Sequence, residues 1–178
     1  MTVQELLEAI AALPPAERQD LLVRLRALYP PVPPRQMGLD LDNPDWDGPA
    51  DCLLVFDGGS QGNPGAGYGS YAVFKDGRPG QVYRLTFAET MTNNEAEYQT
   101  LLGGLRHVLA ELGSGAARAS LEVRGDSLLV IQQVLGHWKA KDERMRGLRD
   151  DVRRLLARFG RYRLVAQPRE DSVKVLGH

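Results

Sequence analysis

At 178 residues, 43% of them hydrophobic and 25% charged, the chain has enough apolar material for one ordinary core and a small appendage, and too little for two full domains. It has no run of about 18 apolar residues to span a bilayer, and residues 1–12 are acidic where a secretory signal needs a basic start, so it reads as a soluble cytoplasmic protein. The net charge of −1 hides an uneven split, with four Arg against nine Asp and Glu in residues 1–51 and twelve Lys and Arg against six acids in residues 137–174. A basic cluster of that kind attracts phosphates, and a solvated helix face accounts for it equally well.

Residues 1–30 read as a helical hairpin. Thr2 and Glu5 have capping-box spacing, Leu6, Leu7 and Ile10 form one apolar stripe, and Pro15 suits the first turn of a second helix before Leu21, Leu22, Leu25 and Leu28. That stripe must be covered by the rest of the chain, by a second copy or by another protein. Residues 31–51, with PPVPP and many Asp, Asn and Gly, read as a linker. The main unit, 52–178, opens with an apolar run at 52–56, followed by alternating strands at 67–74 and 81–87. The lone Cys52 stands in that first run and reads as a buried, inert thiol.

A helix capped by Asn93 or Asn94 carries Leu101, Leu102, Leu105, Val108, Leu109 and Leu112 at helical spacing and ends at Gly113 and Gly115. A strand at 120–124, a short helix at 126–135, a longer helix at 143–159 and a strand at 162–166 complete the pattern. The order β-β-β-α-β-α-α-β predicts an α/β fold, a mixed five-stranded sheet covered by helices.

Three acids stand where acids are awkward: Asp57 at the end of an apolar strand, Glu97 inside an amphipathic helix and Asp126 between a strand and a helix. Each has an ordinary explanation on its own, as turn residue, solvated helix residue or N-cap. Together they describe a ligand set, because ligands collect beyond the strand ends of open sheets and carboxylate oxygens suit a hard divalent cation. Zinc-type spacing is absent, since the only Cys is Cys52 and the only histidines are His107, His137 and His178. The segment 58–69, GGSQGNPGAGYG, lacks the GK[ST] ending of a phosphate loop and leads into a strand. Its glycines read as a tight turn at Asn63, Pro64 and Gly65 and as a place where backbone meets a ligand closely.

The segments FDGGSQGNPGAGYG (56–69), TNNEAEY (92–98), GDSLLVIQQVLGHWK (125–139) and PRE (168–170), in that order, resemble type I ribonucleases H from about residue 52 onward. The resemblance implies the ribonuclease H-like fold and hydrolysis of the RNA strand of RNA–DNA hybrids with two Mg²⁺ or Mn²⁺ ions. It also implies that Asp57, Glu97 and Asp126 are the metal-binding carboxylates. Asn63, Asn93, Asn94 and Ser127 match substrate-contacting positions, Gly58, Gly59 and Ser60 those whose backbone reads the RNA 2′-hydroxyl, and Trp138 and Lys139 those near the DNA strand. For Trp138 a core role competes.

The chain also departs from the family. PREDSVKVLGH places Leu176 where a fourth metal-binding Asp is expected, with Asp171 and His178 as the substitutes at hand, and it leaves out the expected final helix. No long basic protrusion is inserted before Glu143, which gives hybrid affinity to the helix arginines. The acidic hairpin is unsuited to phosphate and is expected to self-associate or to dock on the catalytic domain. Two alternatives follow: a ribonuclease H-like module that binds nucleic acid or a partner but cuts poorly, and a nuclease of the same fold with another substrate.

Overall fold

The computed structural model describes residues 2–28, 46, 48–78 and 80–177, and the chain divides into two compact units, Met1–Arg35 and Gln36–His178. The first unit holds helices α1 (Val3–Ala12) and α2 (Pro15–Leu28). The capping box is formed as the spacing requires: the Thr2 hydroxyl accepts from the Glu5 amide and the Glu5 carboxylate accepts from the Thr2 amide. Arg18 closes the turn between the helices by donating to the carbonyls of Ala11 and Leu13 at 2.8 and 2.9 Å. The stripe read from Leu6, Leu7, Leu22, Leu25 and Leu28 falls on side chains outside the described residues, as do residues 31–45 of the linker.

The second unit is built on a five-stranded sheet of order β3-β2-β1-β4-β5. β1 (Cys52–Gly62), β2 (Gly65–Lys75) and β3 (Val82–Met91) form an antiparallel meander, while β4 (Ser120–Gly125) and β5 (Arg161–Ala166) add in parallel. The passages from β3 to β4 and from β4 to β5 require helical crossovers, supplied by α3 (Asn93–Leu112) and by α4 (Leu128–Val134) with α5 (Glu143–Leu156). Strand alternation decides the layers. Cys52, Leu54 and Phe56 face the large core shared with Leu101, Leu102, Leu105, Val152 and Leu156 of the helices. Burial there raises the pKa of the Cys52 thiol, consistent with the inert reading.

The opposite face is covered by an element the sequence reading left out. Residues Arg169–Leu176 form helix α6, packed on β1 and β2, with Leu176 1% exposed against Val55 and Ala72. The expected absence of a final helix is therefore corrected. The segment does not fray, because Leu176 fills the space beneath it, Gly177 provides a left-handed C-cap and Arg84 donates to the Leu176 carbonyl at 3.2 Å.

Two further details position the site. The glycine-rich segment is strand rather than open loop: β1 continues to Gly62, β2 begins at Gly65, and the turn is confined to residues between them. The described end of the linker packs on the sheet. Trp46 lies under the guanidinium groups of Arg161 and Arg163 at 4.5 and 4.3 Å, and Asp51 accepts from the amide and hydroxyl of Ser120 at 2.8 and 2.9 Å.

Candidate metal centre and nucleic-acid surface

β1 and β4 run parallel and pair only as far as Phe56 opposite Gly125. The next residue on each chain is an acid, so the last shared rung of the ladder delivers Asp57 and Asp126 side by side. Glu97 comes from the second turn of α3, whose N-cap is Thr92 rather than Asn93 or Asn94: the Thr92 hydroxyl accepts from the Glu95 amide at 3.2 Å and Glu95 returns the bond. The helix can reach the strand because residue 58 is glycine. A Cβ there would lie 2.6 Å from the Ala96 carbonyl oxygen and 2.7 Å from the Glu97 Cα.

One ligand atom from each of Asp57, Glu97 and Asp126 lies within 4.8 Å of the other two. Burial raises the pKa of Glu97 from its ordinary 4.5 to about 7, against the hydrogen bond from Ser127; Asp126 and Asp57 push it further up and Arg169 opposes them. Three carboxyls that close cannot all carry charge cheaply without a cation between them. The donor set is all oxygen, which fits a hard divalent ion and matches no thiolate or imidazole site.

Alternation within the sheet, a helix drawn against a glycine and three convergent acids define a known arrangement. A family model described as reverse transcriptase-like matches residues 56–175, well over half of the chain. The chain belongs to the reverse transcriptase-like, ribonuclease H family. Ribonuclease HI of Halobacterium salinarum is 37% identical over 115 residues, 64% of this chain and 55% of that protein, so the chain spans about half the length of that curated relative. The crystal structure of ribonuclease H1 from the same archaeon superposes with a TM-score of 0.62 at 32% identity, over 70% of this chain and 90% of that one. The ribonuclease H1 designated LC11, solved in complex with an RNA/DNA hybrid, shares the fold with a TM-score of 0.63 at 24% identity, over 70% of this chain and 90% of that one.

Around this ribonuclease H-like centre the sequence-predicted residues fall into two groups. Ser127 is N-cap of α4, accepting from the Val130 amide at 3.4 Å, and its hydroxyl donates to Glu97 Oε2 in a short hydrogen bond. Ser60, Asn63 and Asn93 form one network: Asn93 Oδ1 accepts from the Ser60 amide and hydroxyl, both at 2.9 Å, and the Asn93 amide donates to Asn63 Oδ1 at 3.1 Å. It ties the β1–β2 hairpin to the start of α3. Gly59 lies under the half-exposed Tyr68 ring, whose hydroxyl would be 2.7 Å from a Cβ at 59. Asn94 joins Trp138 and Lys139, with Leu129 and Lys141, in a groove of about 610 Å³. Trp138 is 46% exposed, which removes the competing core role.

The fourth ligand position is not filled by Asp171, the one substitute among the described residues. Leu176 is core, and Asp171 pairs with Lys174 at 3.2 Å on an exposed face; His178 lies outside the described residues. Sequence reasoning missed two charged residues. Arg169 stabilises the charged form of Glu97, and its signal was its place in the PRE segment. Arg144 holds Glu95 at 2.8 Å and reaches Glu89 at 3.5 Å, and nothing local in the sequence pairs α5 with the start of α3. The helix arginines are also less free than expected, since Arg153 donates to the Val134 carbonyl at 2.8 Å and Arg149 pairs with Asp150.

Proposed function

We propose that the chain is an endoribonuclease that hydrolyses the RNA strand of RNA–DNA hybrids, with Asp57, Glu97 and Asp126 holding a pair of divalent ions, Mg²⁺ or Mn²⁺. The observation that carries the proposal is the convergence of those three carboxylates within 4.8 Å at the strand ends. When bound, such a pair supplies positive charge to a phosphodiester and lowers the barrier to attack by water. The chain's own groups do the rest. Ser127 fixes one oxygen of Glu97, and Gly58 keeps α3 close enough for Glu97 to share an ion with Asp57.

Substrate reading follows from the edge of β1. Beyond Phe56 the strand has no β4 partner, so the backbone of Gly58, Gly59 and Ser60 borders the cleft beside the carboxylates, where it suits a 2′-hydroxyl that DNA lacks. Ser60 holds the oxygen of the Asn93 side-chain amide, which makes Nδ2 the end that donates to substrate, while Asn63 accepts from the Asn93 backbone N–H. Asn94, Trp138 and Lys139 line the adjoining groove, an aromatic face and a cation suited to the second strand of the hybrid. The solved complex of the LC11 ribonuclease H1 with an RNA/DNA hybrid supports this class of substrate.

One observation favours a second reading. Leu176 sits in the core where a fourth carboxylate was expected, which suits a module that binds hybrid and cuts it slowly. Parallel assays on RNA–DNA hybrid, double-stranded RNA, single-stranded RNA and junction DNA test the proposal. Cleavage of the hybrid alone supports it, tight hybrid binding without turnover favours the second reading, and preference for another substrate contradicts both. The N-terminal unit is proposed to self-associate or to dock on the catalytic unit, and light scattering that finds a monomer with and without residues 1–36 removes the first. No helix among the described residues is long and apolar enough to cross a membrane.

A further inference from the structure

One residue after Glu97, α3 turns Tyr98 into the core, where its ring is fully buried. The Tyr98 hydroxyl donates to Gln133 Oε1 at 2.9 Å. Gln133, in the last turn of α4 and 6% exposed, uses the other end of its amide to donate to the Lys139 carbonyl at 3.2 Å. A buried amide with both ends engaged has a single orientation, and losing either partner leaves a polar group unsatisfied.

Among the described residues, the segment 136–140 is otherwise tied only to the end of α4: the Gly136 amide donates to the Gln133 carbonyl at 3.1 Å and His137 Nδ1 lies 2.7 Å from Gln132 Oε1. The His137 and Trp138 amides donate to the Gln132 carbonyl at 3.0 and 3.2 Å, and Ala140 is buried, but the large Trp138 ring is 46% exposed and packs into no core. Arg153 supports the base of the segment through the Val134 carbonyl. The chain of bonds from Tyr98 through Gln133 to Lys139 is thus a direct link between the helix that carries Glu97 and the loop that carries Trp138 and Lys139.

We propose that Gln133, braced by Tyr98, is a positioning residue that fixes the 136–140 loop relative to Glu97, so that Trp138 and Lys139 meet the nucleic acid at a set distance from the cut. The inference rests on the reading of Trp138 and Lys139 as hybrid contacts. A purely structural role for the same bonds lowers stability and leaves affinity alone.

The test uses the full chain with Gln133→Met, Tyr98→Phe and, as a core control in the same helix, Ile131→Val. Amide hydrogen exchange at residues 137–139 is read without substrate, and KM and kcat are read on labelled hybrid. Loss of one buried hydrogen bond corresponds to a factor of about five to ten. Gln133→Met is expected to speed exchange at those amides and to raise KM by about that factor, with kcat within about twofold. Tyr98→Phe moves both in the same direction, and Ile131→Val moves neither. Unchanged exchange in Gln133→Met, or a KM shift of equal size in Ile131→Val, overturns the inference. Should the wild-type chain bind hybrid without cutting it, the proposed activity falls, while exchange and hybrid affinity still decide this point.

Discussion

At the scale of single residues, two glutamates two positions apart do different work. Glu95 closes the capping box of α3 and pairs with Arg144, while Glu97 enters the carboxylate cluster. Glu95→Gln is expected to cost about 1 kcal/mol of stability, as a weakened cap does, and to leave hybrid cleavage within a few-fold of wild type. Glu97→Gln should abolish cleavage. Equal damage from both in a side-by-side assay contradicts the assignment of the helix face. Glu97 also makes a prediction about pH. Its pKa in the folded metal-free chain, about 7, is raised above the ordinary 4.5. The folded state therefore holds the proton more tightly than the unfolded state, and this group's stabilising contribution is present below pH 4.5 and lost as pH rises through about 7. A divalent ion restores the balance for the charged form. The increase in Tm on adding Mg²⁺ should be larger at pH 8 than at pH 6, and an increment that shrinks with rising pH contradicts the ligand role.

At the scale of elements, α3 and α6 carry the strongest consequences. Gly58→Ala places a methyl group 2.6 Å from the Ala96 carbonyl, which pushes the start of α3 off β1 and takes Glu97 with it. Weaker metal binding by calorimetry is expected, with the sheet still folded by circular dichroism; unchanged affinity removes the close approach from the account. Helix α6 is held by Leu176, so Leu176→Ala should cost about 2–5 kcal/mol in urea denaturation, in the range of buried leucine truncations. Loss of less than about 0.5 kcal/mol is the signature of a surface position. Leu176→Asp, for the same reason, is expected to destabilise the chain before it can act as a fourth ligand.

At the scale of the whole molecule, the order of strands and helices was legible because alternation and helical spacing are local signals, and the parallel pairing of β1 with β4 follows from the crossover between them. Asp57 stood out because it ends an apolar run and Asp126 because it falls between a strand and a helix, whereas Glu97 was separated from Glu95 by the resemblance of TNNEAEY to the ribonucleases H. Other features were hidden for physical reasons. α6 is short and ends close to residue 178, and its stability comes from Leu176 beneath it rather than from its own sequence. The strands extend through the glycine-rich segment because hydrogen bonding to a neighbouring strand outweighs weak local propensity. Trp46 finds Arg161 and Arg163, more than a hundred residues away, and no local pattern announces such a pair. Tyr98 and Gln133 likewise meet only once α3 and α4 are packed.

The central claim is that Asp57, Glu97 and Asp126 form a metal centre that cuts hybrid. Cleavage of a labelled RNA–DNA hybrid by the purified chain, with Mg²⁺ and separately with Mn²⁺, tests it most directly when run beside Asp57→Asn. The account predicts cleavage of the RNA strand by the wild type and loss of at least about a thousandfold in the variant, whose fold stays intact because the amide replaces the acid at equal size. Near-normal turnover by Asp57→Asn, or no cleavage by the wild type with either metal, contradicts the claim.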